Sequence, residues 1–193
     1  MAVKEDIRIV RTRKLLCDAL LDMMQTDSIE HISVIDICNK SLINRATFYK
    51  HFEDKYDLLA YALEEIKREI NRGFIINKSD LNTPQDALRA LFTTTTAYFF
   101  DNRSRVSNLI KHNMHTKVIS CVKDSIADSI ESLVSDYTYT YALRVPLPVL
   151  ATFLAGGLVS TLIWCLQQPG KYTFQEFVTC IDVGCIDSLF EKV

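Results

Sequence analysis

The stretch from Ser33 to Phe52 constrains this chain more than any other, because it falls into two short helical runs with only three residues between them. Ser33 followed by Asp36 has the spacing of an N-cap with an acidic residue at N3, opening a helix to about Lys40. Ser41, Leu42 and Ile43 leave room for a turn and nothing longer. Asn44, a strong N-cap, starts another helix predicted to reach Phe52. Two short helices joined this way make a helix-turn-helix. Upstream, Leu16, Ala19, Leu20, Met23 and Met24 recur at the spacing of an amphipathic helix over Arg8 to Met24, and the polar run Thr26 to His31 ends it. Downstream, Glu53 and Asp54 place acid at the start of a fourth helix carrying Tyr56, Leu59, Ala60, Leu63 and Ile66, with Gly73 as its stop.

Residues 77 to 84 read as a linker, with Thr83 as N-cap and Pro84 at the first helical position. Beyond it the patterning predicts helices at about 84 to 100, 103 to 113, 115 to 136, 146 to 168 and 174 to 190. Tyr137 to Tyr141 alternates like a strand, but an isolated strand has nothing to pair with. The expected fold is all-α with about nine helices. A three-helix helix-turn-helix domain at 1–56 and a connecting helix at about 54–73 precede a larger helical ligand-binding and dimerisation domain at 74–193.

Composition fits such a fold, with 48% apolar and 24% charged residues and only five Gly and four Pro in 193. The net charge of -2 excludes a chain that coats itself in nucleic acid. Residues 1–50 carry eight Lys and Arg against seven Asp and Glu, so any basic surface is local. The six cysteines (Cys17, Cys38, Cys121, Cys165, Cys180 and Cys185) form no C-x-x-C and no zinc-spaced cluster with histidine, which reads as reduced thiols. The charge-dense first 14 residues have no apolar leader segment, and a cytoplasmic location is expected. From Val145 to Gly170 there is no charged residue, a length that would span a bilayer, but Pro, Gly, Ser, Thr and Gln dilute it. A helix buried on all sides is expected there instead of a membrane contact.

That helix carries two apolar stripes. Leu147, Leu150, Ala151, Leu154, Leu158, Leu162 and Cys165 make one, and Phe153, Gly157, Ser160 and Trp164 the other. A final helix offers Phe174, Phe177, Val178, Ile181, Cys185 and Leu189, so the pair could meet its own copy as a four-helix bundle. The expected dimer interface is therefore Leu147, Leu150, Leu154, Gly157, Leu158, Leu162, Phe174, Phe177, Val178, Ile181 and Leu189.

A helix entering a DNA major groove needs donors near its N-terminus. The second helix of the motif has Arg45, Thr47, Tyr49, Lys50 and His51, with Lys55 just beyond and Phe48 and Phe52 free to pack inward. Ile32-Ser33-Val34, Asp36-Ile37-Cys38 and the unbroken run from Ile43 through Arg45-Ala46-Thr47-Phe48-Tyr49-Lys50-His51-Phe52 to Leu59 resemble the N-terminal domain of the TetR family. Phe153 to Val159 with Trp164 is similar to the C-terminal domain of a Gram-positive branch that includes regulators related to dihydroxyacetone kinase operons.

The resemblance implies a homodimeric transcription regulator, a repressor that binds a palindromic operator in double-stranded DNA and is released by a small-molecule effector. It implies a DNA-facing set of Ser33, Asn44, Arg45, Ala46, Thr47, Tyr49, Lys50, His51 and Lys55. Arg45 is expected on a guanine edge, and Ser33, Thr47, Tyr49, His51 and Lys55 on or near phosphates. Leu42 departs from the family, which usually has Gly in the turn. Tyr98, Phe99, His112, Tyr137, Phe153 and Trp164 are candidates to line an effector pocket. No cofactor is expected. No Gly-rich phosphate loop, G-x-S-x-G or H-E-x-x-H is present, and His112 and His115 have no acidic or Cys partner nearby, so neither an enzyme nor a metal site is expected. The competing reading is a dimeric ligand- or partner-binding protein whose helix-turn-helix has decayed.

Overall fold

A computed structural model describes residues 6–75, 81–114, 117–137, 141–143, 145–168, 170–181, 186 and 190–192. They form nine helices and two strands of three residues, and they divide into two compact units: Met1–Ile66 with Asn108–Ile119, and Lys67–Ser107 with Ser120–Val193. These units differ from the domains drawn along the sequence, because a segment 42 positions beyond the first unit's main body (108 against 66) returns to it.

The first unit is built on α1 (Ile7–Met23), α2 (Val34–Ser41), α3 (Arg45–Phe48) and the start of α4 (Lys55–Ile75). Leu16, Leu20, Met24, Ile29, Ile37, Phe48, Leu58 and Leu59 are its fully buried centre. Side chains cap every start: Asp6 accepts from Arg8 N at 2.9 Å, and Asp54 accepts from Tyr56 N and Asp57 N at 2.8 Å each. Asp57 reaches back to Glu53 N at 2.9 Å, which satisfies a further donor ahead of α4. α4 runs past Gly73 to Ile75.

α3 is shorter than its polar patterning predicts. After Phe48 the backbone tightens, with Lys50 N donating to Thr47 O at 3.2 Å and His51 N to Phe48 O at 2.9 Å. These bonds span three residues instead of four, a narrowing common at helix ends. The tightened turn returns Phe52 to the core, 4% exposed, with its ring 5.8 Å from that of Phe48.

Asn113 ends α6 (Arg103–Asn113), just ahead of α7 (Lys117–Ser135). Only 1% of it is exposed. Its Oδ1 accepts from Ile29 N at 2.8 Å, and its Nδ2 donates to Leu109 O at 3.0 Å, Met24 O at 3.3 Å and Asp27 O at 3.5 Å. A single amide thus satisfies backbone groups on the loop between α1 and α2, while Val118 packs into the same core.

In the second unit, Thr83 caps α5 (Pro84–Asp101) by accepting from Asp86 N at 3.1 Å, with Pro84 at the first turn as its sequence position predicts. α5 packs with α8 (Leu147–Leu166) and α9 (Phe174–Ile181) around Leu88, Phe92, Ile130, Leu150, Leu154, Leu158, Leu162 and Phe177. The ring of Phe100 meets Phe174 edge-on at 5.7 Å. The chain end is a correction: Tyr141–Leu143 (β1) pairs antiparallel with Phe190–Lys192 (β2), in register Ala142 to Glu191, where no strand and a helix to about 190 were expected. Backbone pairing between residues about 50 apart has no local signature.

α8 is long and apolar enough to cross a membrane by length and composition. Its leucine stripe is instead enclosed by the unit's own helices, while Val149, Phe153, Gly157, Ser160 and Trp164 face outward.

Replacing Asn113 with Ala leaves Ile29 N and the Met24 carbonyl buried without this partner, at a cost of about 1 to 3 kcal/mol. Thermal unfolding is expected to show the loss; an unchanged midpoint would mean that the amide does not hold the loop.

Candidate nucleic-acid interface

The helix-turn-helix presents a mixed polar surface whose orientation is set by its caps. Ser33 Oγ accepts from Asp36 N at 3.2 Å and Asp36 Oδ2 accepts from Ser33 N at 3.0 Å, a reciprocal capping box. Hydrogen bonds from Ser33 hold the Asp36 carboxyl below its ordinary value, so its contribution is present above about pH 4 and fades as the pH falls through that lowered value. Asn44 Oδ1 accepts from Ala46 N at 2.8 Å and starts α3. Phe48 is fully buried, which leaves Arg45, Ala46, Tyr49 and Lys50 exposed and Thr47 and His51 half-buried. Tyr49 meets the Phe48 ring edge-on at 5.4 Å, which restricts its side chain while leaving it 52% exposed. Ser33 and Asn44 are exposed and already committed to caps.

Lys55 departs from its expected role. Its ammonium donates to the carbonyls of Ile29 at 2.7 Å, Ile32 at 2.9 Å and Glu30 at 3.1 Å, so all three of its donors are taken within the protein. It fixes the end of the loop before α2 instead of offering a free charge. Beside it Tyr56 donates to Glu30 Oε2 at 3.1 Å, and Lys117 stands 5.7 Å from the Tyr56 ring centre. Neither Asn113 nor this Glu30–Tyr56 contact had a local sequence signal, since both join residues at least 26 positions apart.

Leu42 ends α2 in the left-handed region, φ 57° and ψ 31°, the one such non-glycine among the described residues. Its side chain is 91% exposed. The turn therefore has the geometry that a glycine adopts freely, built with a residue that resists it.

The other expected sites are rearranged. Leu150, Leu154, Leu158, Leu162 and Phe177 are buried in the chain's own core, so they are not available to a second copy as the expected interface required. Leu147, Phe174 and Val178 are half-buried, and Gly157 is exposed. Ile181 closes α9, and Leu189 lies outside the described residues. Among the pocket candidates, Phe153 is 69% and Trp164 44% exposed, so neither lines an interior cavity. Tyr98, Phe99 and Tyr137 are half-buried in the second unit, whereas His112 falls in the first. No group of three or more metal-ligating side chains exists among the described residues.

These elements define a helix-turn-helix within an all-α chain, the architecture of a large class of regulators. Solved structures place it further: the chain superposes on a TetR transcriptional regulator from Streptococcus agalactiae with a TM-score of 0.63 at 19% identity, over 92% of this chain and 95% of that one. The fold is that of the TetR-family regulators. The dihydroxyacetone kinase operon activator DhaS gives a TM-score of 0.55 at 17% identity, over 94% of this chain and 99% of that one. In sequence, the chain is 28% identical over 189 residues to the uncharacterized HTH-type transcriptional regulator YxbF of Bacillus subtilis, covering 92% of this chain and 46% of that protein. It is 38% identical over 53 residues to the HTH-type dhaKLM operon transcriptional activator DhaS of Lactococcus lactis, 28% of each. The chain thus spans less than half the length of these curated relatives in the matched regions. No protein-family model matches the sequence.

Leu42→Gly removes a left-handed strain of about 1 to 2 kcal/mol and gives back part of it as extra freedom of the unfolded chain. The expected result is a melting midpoint raised by a few degrees, corresponding to about 0.5 to 1 kcal/mol. A lowered midpoint would show that the Leu42 side chain stabilises the turn.

Proposed function

We propose that this chain is a sequence-specific DNA-binding transcription regulator of the TetR type. The observation that carries the reading is the coherent exposure of Arg45, Ala46, Tyr49 and Lys50 on a turn anchored by buried Phe48 and Phe52. Donors on a packed helical end suit base edges and phosphates of a major groove. Arg45 reads a base, and Thr47, Tyr49, Lys50 and His51 position the duplex. The competing idea of a decayed motif is disfavoured by the turn itself, because Leu42 occupies the left-handed conformation that the motif requires.

The protein acts as a homodimer on a palindromic operator. The surface proposed for dimerisation is the outward stripe of α8, with Val149 at 60% exposed and Phe153, Gly157, Ser160 and Trp164 following at helical spacing. Small residues at its centre permit close helix approach, and aromatic residues toward either end provide area. Such a dimer is a soluble protein of the cytoplasm and uses α8 for self-association instead of membrane insertion. Operator occupancy represses transcription, and a small-molecule effector shifts the population toward a form with mismatched recognition segments. Thr96 supports an effector: it is fully buried on α5, and its hydroxyl has no hydrogen-bond partner among the described residues.

Selection of bound fragments from genomic DNA tests the reading, with a palindromic consensus as the expected outcome. Arg45→Glu or Lys50→Glu is expected to abolish binding to that consensus without altering the dimer, and a variant that still shifts the duplex would remove these residues from the interface. Phe153→Glu is expected to yield monomers in sedimentation while the fold persists. A dimer unaffected by that change would place self-association elsewhere.

A further inference from the structure

We infer that Leu42 reads a base: its side chain meets the C5-methyl group of a thymine next to the base contacted by Arg45, and so sets part of the operator sequence. This inference rests on the DNA-binding reading and adds to it a residue of the turn, outside the exposed set on α3.

The turn closes without help from the Leu42 side chain. Ile43 N donates to Cys38 O at 3.1 Å and Leu42 N to Asn39 O at 3.4 Å, the paired backbone bonds that end a helix around a left-handed residue. Ile43 and Cys38 pack into one core, which supplies the apolar contact that accompanies such an ending. Ser41, on the other side of Leu42, is buried. With both neighbours turned inward, Leu42 projects away from the unit and is 91% exposed. It therefore buries almost no apolar area to offset its unfavourable backbone conformation. Backbone strain that folding does not repay is concentrated at sites that contact a partner.

Position and chemistry together define what Leu42 can meet. It stands two residues ahead of Asn44, the cap of α3, and three ahead of Arg45, so its Cα is no more than about 11 Å from that of Arg45. A helix whose first residues enter a major groove carries the residue just ahead of its cap to the groove edge. The polar groups beside it are already engaged: Lys40 pairs with Asp22, and Asn44 Oδ1 accepts from Ala46 N. From Lys40 to Asn44 the turn thus offers hydrocarbon and no free charge, which does not suit a phosphate. The donor and acceptor edges of guanine, cytosine and adenine gain nothing from it either. The thymine methyl is the apolar group that a base pair presents in the major groove. Leucine here selects an A·T pair, where glycine would leave the base unread.

The test uses the full-length protein and the duplex selected from genomic DNA, with each thymine replaced in turn by uracil, which removes the methyl group and keeps every hydrogen bond. One thymine in each half-site is expected to be methyl-dependent, its replacement lowering affinity about fourfold, the equivalent of one buried methyl-sized group. In Leu42→Asn, whose new residue tolerates the left-handed conformation, that position is expected to lose its methyl dependence while other positions are unchanged. Leu42→Gly, with its relaxed turn, gives the same readout should the asparagine variant not fold. A parent that binds the duplex with no methyl-dependent thymine overturns the role of Leu42 and leaves the helix-turn-helix reading intact. So does a methyl effect that persists in the Leu42 variants, which would belong to Ala46. Variants weakened equally on every duplex place Leu42 against the sugar-phosphate backbone, and variants with unchanged affinity place it away from DNA; either result overturns base reading. A parent without affinity for any fragment overturns both inferences.

Discussion

The burial of two phenylalanines governs the DNA-facing surface. Phe48 is wholly enclosed and Phe52 nearly so, and the rings lie 5.8 Å apart. Burying an aromatic side chain contributes about 1.5 to 3 kcal/mol, far more than any exposed residue of α3 gains from its own conformation. With both rings fixed inward, the residues between and before them have no freedom to choose a face. Arg45, Ala46, Tyr49 and Lys50 must project outward, and the tightened turn after Phe48 follows from returning Phe52 to the same core. Orientation of the polar set is thus a consequence of apolar packing.

The loop between α1 and α2 depends on a different kind of restraint. It is irregular, so its backbone groups lack ladder or helix partners, and buried groups of that kind are costly when left unpaired. Asn113 and the Lys55 ammonium together take up the Ile29 amide and the carbonyls of Met24, Asp27, Ile29, Glu30 and Ile32. Lys55 performs this role because an ammonium has three donors and no acceptor, matching a cluster of carbonyls. A residue with the sequence profile of a phosphate contact is instead consumed by architecture.

What the sequence revealed follows the range of each interaction. Ser33, Asn44, Asp54 and Thr83 were legible as helix starts because a cap and its partner lie two or three residues apart. Leu42 was legible as the odd residue in the turn because left-handed backbone is a property of one position. The outward set of α3 was legible from period alone. Lys55, Asn113 and the pairing of β1 with β2 were not, since each joins segments that only the folded chain brings together. The length of α3 failed for a related reason: polar residues continue to His51, but the core's claim on Phe52 ends the regular helix at Phe48.

α8 shows where periodicity stops being decisive. Its two apolar stripes are both visible in the sequence, and neither declares its partner. The stripe that the chain itself covers is the one opposed by apolar residues of its own neighbours, Leu88, Ile130 and Phe177. A packing face of leucines also matches the interior, where close-packed aliphatic side chains fill space without polar atoms. The outward stripe mixes Phe153 and Trp164 with Gly157 and Ser160, a composition closer to a protein interface, in which aromatic anchors alternate with small residues. Folding and self-association thus draw on opposite sides of one helix, and a substitution on either side separates the two: loss of a leucine removes core volume, whereas loss of Phe153 removes contact area without opening the core.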